Sequence, residues 1–83
     1  MITIKVLGPG CANCRRVEEI ARKAIEALGI EAQVEKVTDT TAILAYDILA
    51  TPGVVINDKV VSSGRIPSVG TMSDWIRAAA TAG

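Results

Sequence analysis

The hydrophobic pattern of this chain changes its period early, and that change constrains the fold most. Residues Ile2 to Leu7 alternate between apolar and polar side chains and are rich in β-branched residues, which predicts a strand. Gly8-Pro9-Gly10 interrupts the alternation. Apolar residues then recur at helical spacing and predict an amphipathic helix that Gly29 ends as a left-handed cap. The helical stripe comprises Val17, Ile20, Ala21, Ala24, Ile25 and Leu28.

The middle of the chain predicts a second strand and a short helix. Residues Ile30 to Val37 alternate with one polar face, which suits an edge strand. Thr38 and Asp39 are suitable caps for a helix over Thr40 to about Tyr46. A single helix that continues to Leu49 is the alternative.

The remaining residues predict a hairpin followed by a last helix. Val54-Val55-Ile56 and Lys59 to Ser62 are strand-like, and Asn57-Asp58 between them suits a two-residue hairpin turn. Pro67 lies near the expected start of the last helix. Its apolar stripe comprises Val69, Met72, Ile76 and Ala79.

The order of these elements, β-α-β-α-β-β-α, indicates an α/β fold. Because a helix joins the first two strands, they should be parallel with a right-handed crossover. The last two strands should form an antiparallel hairpin. With 83 residues, the chain is short enough that we expect residues 1–83 to form a single domain.

The composition excludes several classes of function. Nine Lys plus Arg balance nine Asp plus Glu, so a basic face for nucleic acid is not expected. With one Tyr and one Trp there is no aromatic platform on which bases could stack. The absence of His removes the commonest general base and excludes Ser-His-Asp and Cys-His catalysis within this chain.

The segment Met1 to Gly10 lacks the charged and apolar regions of a signal peptide, and no stretch is apolar enough to span a membrane. We therefore expect a cytoplasmic location and no membrane partner. In that compartment, two cysteines in a Cys-x-x-Cys pair are reactive or metal-binding more often than structural.

The pair Cys11 and Cys14 carries the predicted chemistry. A helix start places both sulfurs on one face, at a separation compatible with a disulfide. The unsatisfied N–H groups and the dipole of the helix favour a thiolate at Cys11 and lower its pKa from the ordinary value of about 8.5. Cys11 is therefore the predicted nucleophile, which forms a mixed disulfide with a substrate, and Cys14 then attacks Cys11 to release it. This chemistry requires no cofactor.

Other interpretations of the Cys pair stay open at this point. It could hold a soft metal such as Cu(I), or two buried thiols could pack as small hydrophobic groups. A closed zinc site cannot be built from two Cys without His in one chain. Heavy-metal-associated domains also carry Cys-x-x-Cys after their first strand, but they run β-α-β-β-α-β. A third hypothesis is an accessory domain that docks on a partner.

Thr51-Pro52 is the second informative position, because Pro52 directly precedes a predicted strand. A proline there suggests a turn. From spacing alone an ordinary trans peptide bond is favoured, since cis bonds are about 5–6% of X-Pro bonds in folded proteins.

The chain resembles the thioredoxin superfamily, and in particular its small thioredoxin-like or glutaredoxin-like redox-active disulfide proteins. The resemblance covers essentially the whole chain. It rests on Gly10-Cys11-Ala12-Asn13-Cys14 after the first strand, Thr51-Pro52-Gly53-Val54-Val55-Ile56 before the hairpin and Asn57-Asp58-Lys59-Val60 within it.

The resemblance implies a four-stranded mixed sheet in the order 2-1-3-4 with three flanking helices. It implies that Pro52 is cis beside the Cys pair and that the Thr51 backbone binds an extended substrate or glutathione. It further implies a disulfide-bearing protein or small molecule as substrate, an upstream disulfide reductase as electron donor, and a monomer. Ser63-Gly64-Arg65 stands where glutaredoxins carry a Gly-Gly-acidic signature for glutathione.

Overall fold

The computed structural model describes residues 2–8, 12–46 and 50–81, apart from the side chain of Thr81. The described residues form four strands and three helices in the order predicted from the sequence. These are β1 (Ile2–Leu7), α1 (Ala12–Leu28), β2 (Ala32–Val37), α2 (Thr40–Ala45), β3 (Gly53–Ile56), β4 (Lys59–Ser63) and α3 (Val69–Thr81).

The strands form one mixed sheet in the order β2-β1-β3-β4. Strand β2 is parallel to β1, while β3 is antiparallel to β1 and β4 is antiparallel to β3. The predicted α/β class, strand order and edge position of β2 are confirmed, and this is the thioredoxin-like fold. In this topology the last residues of β1, β2 and β4 and the first of β3 lie at the same end of the sheet.

Three strand boundaries differ from the sequence prediction, and the register explains them. Strand β3 starts at Gly53 instead of Val54, because Gly53 is the partner of Leu7. Strand β2 starts at Ala32 instead of Ile30, because Ala32 is the partner of Ile2 and β1 extends no further in that direction among the described residues. Strand β4 continues to Ser63 because Ser63 pairs with Gly53 at the start of β3.

One face of the sheet carries the main hydrophobic core beneath α1 and α3. The side chains of β1 that point this way alternate with those that point to the other face. Helix α1 buries the predicted stripe, with Val17, Ala21 and Ala24 fully enclosed, and α3 contributes Met72 and Ile76. Half-buried Ile20, Ile25, Leu28, Val69 and Trp75 surround this core.

The opposite face carries a smaller core, because α2 is short. Leu7 and Val55 of the sheet pack with Ile43 of α2, and half-buried Val37 and Tyr46 adjoin them. The carboxylate of Asp39 accepts from the N–H of Thr41 and caps α2 as predicted.

Helix α2 ends at Ala45 with Tyr46 as its C-cap, so the alternative of one helix to Leu49 is wrong. Asp47 and Leu49 themselves lie outside the described residues. None of the described helices combines the length and the apolar character that crossing a bilayer requires.

The hairpin turn between β3 and β4 forms as the sequence predicts. Asn57 and Asp58 adopt φ of 50° and 66°, and such paired positive values match the strand twist of two-residue hairpins. The side-chain oxygen of Asn57 accepts from the N–H of Thr3, which joins the turn to β1. A bulge follows in β4: Val55 pairs with Val60 and Val54 with Ser62, which leaves Val61 as the extra residue.

Candidate active site at the start of α1

Cys14 lies in the first turn of α1, which begins at Ala12. Its side chain is 3% exposed, whereas Ala12 and Asn13 beside it are exposed. Cys11, the predicted nucleophile, lies outside the described residues together with Pro9 and Gly10. The structure therefore describes one of the two predicted catalytic sulfurs, and that one is enclosed by protein.

Gly8, the residue after β1, makes direct room for the Cys14 sulfur. A β-carbon built on Gly8 would overlap the Sγ of Cys14 and would lie 3.4 Å from its Cβ. The N–H of Gly8 donates to the carbonyl oxygen of Val37 at 2.9 Å, which holds this backbone at the end of β2. The φ of Gly8 lies outside the left-handed region, so this position depends on the missing side chain and not on an unusual backbone conformation. Its role here is close packing against a sulfur.

Thr51 and Pro52 approach the same place from β3. The peptide bond between them is cis, as the resemblance implies and as spacing alone does not predict. Thr51 is exposed and Pro52 is buried. The β-carbon built on Gly8 would lie 3.7 Å from the Cβ of Thr51, so Gly8, Cys14 and Thr51 meet. The predicted site residues that fall in the described ranges are thus brought together.

Gly64 joins this group through the backbone, a contact that the sequence pattern does not predict. Its N–H donates to the carbonyl oxygen of Pro52 at 2.9 Å. With φ of 72° it adopts a left-handed conformation, and a β-carbon there would lie 2.9 Å from the Cβ of Ala50. A glycine close to the end of a predicted strand is a signal for such a conformation. We call the end of the molecule formed by Gly8, Cys14, Thr51 and Gly64 the reactive end.

Three of the charged side chains that the sequence places near this end are arginines. Arg15 and Arg16 follow Cys14 and are exposed, and no acidic residue lies in the first turn of α1. Arg65 follows Gly64 and is also exposed. The structure gives none of these three guanidinium groups an ion pair with a described residue.

Lys5, the charged residue of β1, belongs to a separate cluster on the α2 face. Its Nζ donates to the hydroxyl of Tyr46 at 3.1 Å, lies 5.7 Å from the centre of that ring and is 3.7 Å from the carboxylate of Asp58. The hydrogen bond to Tyr46, then the charge of Tyr46 when it ionises, raise the pKa of Lys5. Burial lowers the pKa by less than Tyr46 raises it, and Asp58 and then Glu35 add the smallest upward contributions.

The metal-carrier interpretation gains no support from the fold. Among residues 2–8, 12–46 and 50–81, no group of three or more His, Cys, Asp or Glu side chains is arranged to hold a metal ion. The observed order of elements also ends in α3 and differs from the β-α-β-β-α-β order of heavy-metal-associated domains.

Comparisons with known proteins agree with this geometry. Residues 2–77 match the family model described as a thioredoxin domain. The chain is 39% identical over 77 residues to a thioredoxin of Methanocaldococcus jannaschii, an alignment that covers 93% of this chain and 88% of the relative. It is 38% identical over 68 residues to a thioredoxin of Methanothermobacter thermautotrophicus, with 82% and 88% covered.

Proposed function

The chain belongs to the thioredoxin family, whose members are thiol–disulfide oxidoreductases, and on that premise we propose that Cys11 and Cys14 form its reversible dithiol–disulfide pair. Cys11 acts as the nucleophile and Cys14 as the resolving thiol. The observation that carries this assignment is the burial of Cys14 against Gly8 and beside Thr51, immediately inside the start of α1. A sulfur that solvent barely reaches is suited to attack a disulfide within its own protein rather than a free substrate.

The proposed reaction has two balanced steps. The Cys11 thiolate attacks one sulfur of the substrate disulfide, so an S–S bond forms to Cys11 while the substrate bond breaks and its other sulfur leaves as a thiolate that takes up a proton. Cys14, after losing its proton, then attacks the Cys11 sulfur. The Cys11–Cys14 bond forms, the mixed disulfide breaks and the second substrate thiol departs. Two electrons pass from the protein to the substrate.

Thr51 and Pro52 are proposed to bind the substrate. Thr51 is exposed next to Cys14, and the following proline has no N–H to donate. The backbone of Thr51 can therefore pair with an extended chain that brings its disulfide to the site, as in strand addition.

The wider setting belongs to the same proposal. Residues 1–83 act as one thioredoxin-like domain and as a monomer in the cytoplasm, without a cofactor. Disulfide-bearing proteins or small molecules are the substrates, and an upstream disulfide reductase returns two electrons to the Cys11–Cys14 disulfide. Glutathione is not assigned as a substrate, because Ser63-Gly64-Arg65 lacks the acidic residue of the glutaredoxin signature.

A redox titration tests the proposal. The protein is equilibrated in dithiothreitol buffers of graded potential, its thiols are alkylated and the masses are measured. We expect one reversible two-electron transition that protects Cys11 and Cys14 together. If both thiols remain open to alkylation in oxidising buffer while Cu(I) blocks them, the protein is a metal carrier and the proposal is wrong.

Two single-cysteine variants test the assigned roles. Cys14→Ser should accumulate a mixed disulfide with an added disulfide substrate, because the resolving thiol is missing. Cys11→Ser, the matched control, should accumulate little, because Cys14 is buried. Equal accumulation in both variants would contradict the order of attack.

A further inference from the structure

We infer that the reactive end selects disulfide substrates whose flanking chain is acidic, and that this chain continues from Thr51 into a groove beside Arg65. The inference rests on the proposed function and names its substrate class. Three observations carry it: the sign of the charges at the reactive end, the position of Arg65 relative to Pro52, and the groove that Arg65 lines.

The charge at the reactive end is positive although the chain as a whole is neutral. Three of the five arginines in the sequence, Arg15, Arg16 and Arg65, are placed there and are exposed. Acidic residues of α1 begin one turn later, where Glu18 is held 3.2 Å from Arg22 and 3.7 Å from Lys36. A surface of one sign attracts ligands of the opposite sign and speeds their encounter.

At this end the three arginines outnumber the acidic side chains among the described residues. Asp39, after β2, is present there, and its carboxylate caps α2 through the N–H of Thr41. In α3, Asp74 pairs with Arg77. Asp47 lies outside the described residues. The described arginines of the reactive end are therefore available to an acidic ligand.

Arg65 is fixed close to the proposed substrate-binding backbone. It follows Gly64, whose N–H donates to Pro52 at 2.9 Å. A chain that pairs with Thr51 therefore passes within a few residues of Arg65. Because the guanidinium is planar and carries several donors, it can bind a carboxylate through two hydrogen bonds.

Arg65 also lines a groove of about 550 Å³ between β4 and the start of α3. The polar part of the groove walls is the guanidinium of Arg65 and the hydroxyl groups of serine and threonine residues. The apolar part comes from Ile66, Pro67 and Trp75. Ile66 is 39% exposed and Trp75 half-buried, so both can contact a ligand. Among the residues that the structure describes, no acidic side chain lines this groove. An extended acidic segment with one apolar residue matches these walls in charge and in character.

Three model peptides test the inference. Each carries the same internal disulfide and one apolar residue, with acidic, neutral or basic residues on the flanks. The reduced wild-type protein is mixed with each peptide, and the second-order rate of Cys11–Cys14 oxidation is followed by quenched alkylation. At low ionic strength the acidic peptide should react about tenfold faster than the basic one, since steering by surface charge acts on association. At about 0.5 M salt the ratio should fall below about two, because screening removes that attraction.

Variants locate the effect. Arg65→Ser should lower the oxidation rate with the acidic peptide by about threefold, as expected for loss of one exposed charge contact. The ratio of the rates with the acidic and neutral peptides should become smaller. Lys23→Ser is the matched control: it removes one exposed positive charge from the far half of α1 and should leave all three rates unchanged. Equal rates for the three wild-type reactions would overturn the inference while leaving the proposed function intact. Absence of reaction with every peptide would overturn the proposed function.

Discussion

Gly8 and Cys14 are packed so closely that a β-carbon on the glycine would overlap the cysteine sulfur. The contact joins the end of the central strand to the first turn of α1. It leaves Cys14 3% exposed and places it beside Thr51. The absence of a side chain at Gly8 therefore determines where the proposed resolving sulfur lies.

Gly8→Ala should displace that sulfur. The added methyl group cannot fit without movement of Cys14 or of the β1–α1 backbone, and overpacking of this kind typically costs about 1–3 kcal/mol of unfolding free energy. Chemical denaturation measures the loss. Oxidation of the Cys11–Cys14 pair in a fixed dithiothreitol buffer should also slow, because Cys14 no longer rests in its native position.

Gly70→Ala is the matched control for this change. Gly70 lies in the first turn of α3, and a β-carbon there would meet Ser68 Oγ at an ordinary 3.8 Å. The unfolding free energy of Gly70→Ala should stay within about 0.5 kcal/mol of the wild-type value or rise slightly, since alanine favours helices. A Gly8→Ala protein as stable and as readily oxidised as Gly70→Ala would refute the packing role of Gly8.

Gly64→Ala should cost more stability than Gly29→Ala, although both glycines adopt left-handed conformations with φ of 72° and 64°. Each alanine pays about 1–2 kcal/mol for that conformation. At Gly29 nothing lies within 4 Å of the new β-carbon, whereas at Gly64 Ala50 is 2.9 Å away. Thermal unfolding of the two variants should show the larger loss for Gly64→Ala, and the reverse order would contradict the contact with Ala50.

Asn57→Ala should weaken the hairpin. The substitution places alanine at φ of 50° and removes the oxygen that accepts from Thr3. We expect a loss of about 1–2 kcal/mol, because alanine tolerates the left-handed conformation less well than asparagine and one exposed hydrogen bond is lost. Lys59→Ala, at an exposed neighbouring position, should change the unfolding free energy by less than about 0.5 kcal/mol. Equal effects of the two substitutions would show that the turn geometry is not what matters.

The raised pKa of Lys5 predicts a pH dependence at the alkaline end. The folded protein holds the Lys5 proton more tightly than the unfolded chain, so the stabilisation is complete below the ordinary value of 10.5 and is lost as pH rises through the folded pKa. Tyr46→Phe removes the accepting hydroxyl, the largest cause, while retaining the ring under Nζ. Titration of the Lys5 Cε resonance by NMR should therefore show a lower pKa in this variant.

A Tyr46→Phe protein with an unchanged Lys5 titration would assign the shift to Asp58 and Glu35 instead. Asp58→Asn tests that alternative, in which it should lower the pKa of Lys5. The substitution removes the carboxylate that lies 3.7 Å from Nζ while keeping a residue suited to the turn.

Much of the fold could be predicted because local signals agreed with the tertiary structure. The alternation of Ile2 to Leu7, the stripe of α1, the Gly29 cap and the Asn57-Asp58 turn each depend on a few neighbouring residues, and each is confirmed. The predicted start of β2 is two residues too early, because the end of a strand depends on where its partner strand ends. Ile30 has strand character but no residue of the described β1 stands opposite it.

Less of the site could be predicted from the sequence, since its contacts join segments that are distant along the chain. Spacing favoured a trans Pro52, and the cis bond was anticipated through the family resemblance alone. The contact of Gly8 with Cys14 and the hydrogen bond of Gly64 to Pro52 depend on how β1, α1 and β4 meet in space. Cys11, which the sequence makes the nucleophile, remains a prediction.

The place of β1 between β2 and β3 affects how fast the two sides of the reactive end can open. Strand β1 has a hydrogen-bonded neighbour on each side. Its backbone amides therefore exchange with solvent only when a neighbouring strand separates from it. Strand β4 has a partner on one side and can fray by itself. Cys14 is therefore anchored through Gly8 beside the central strand, whereas Arg65 follows an edge strand, and we expect backbone amides to exchange more slowly on the Cys14 side.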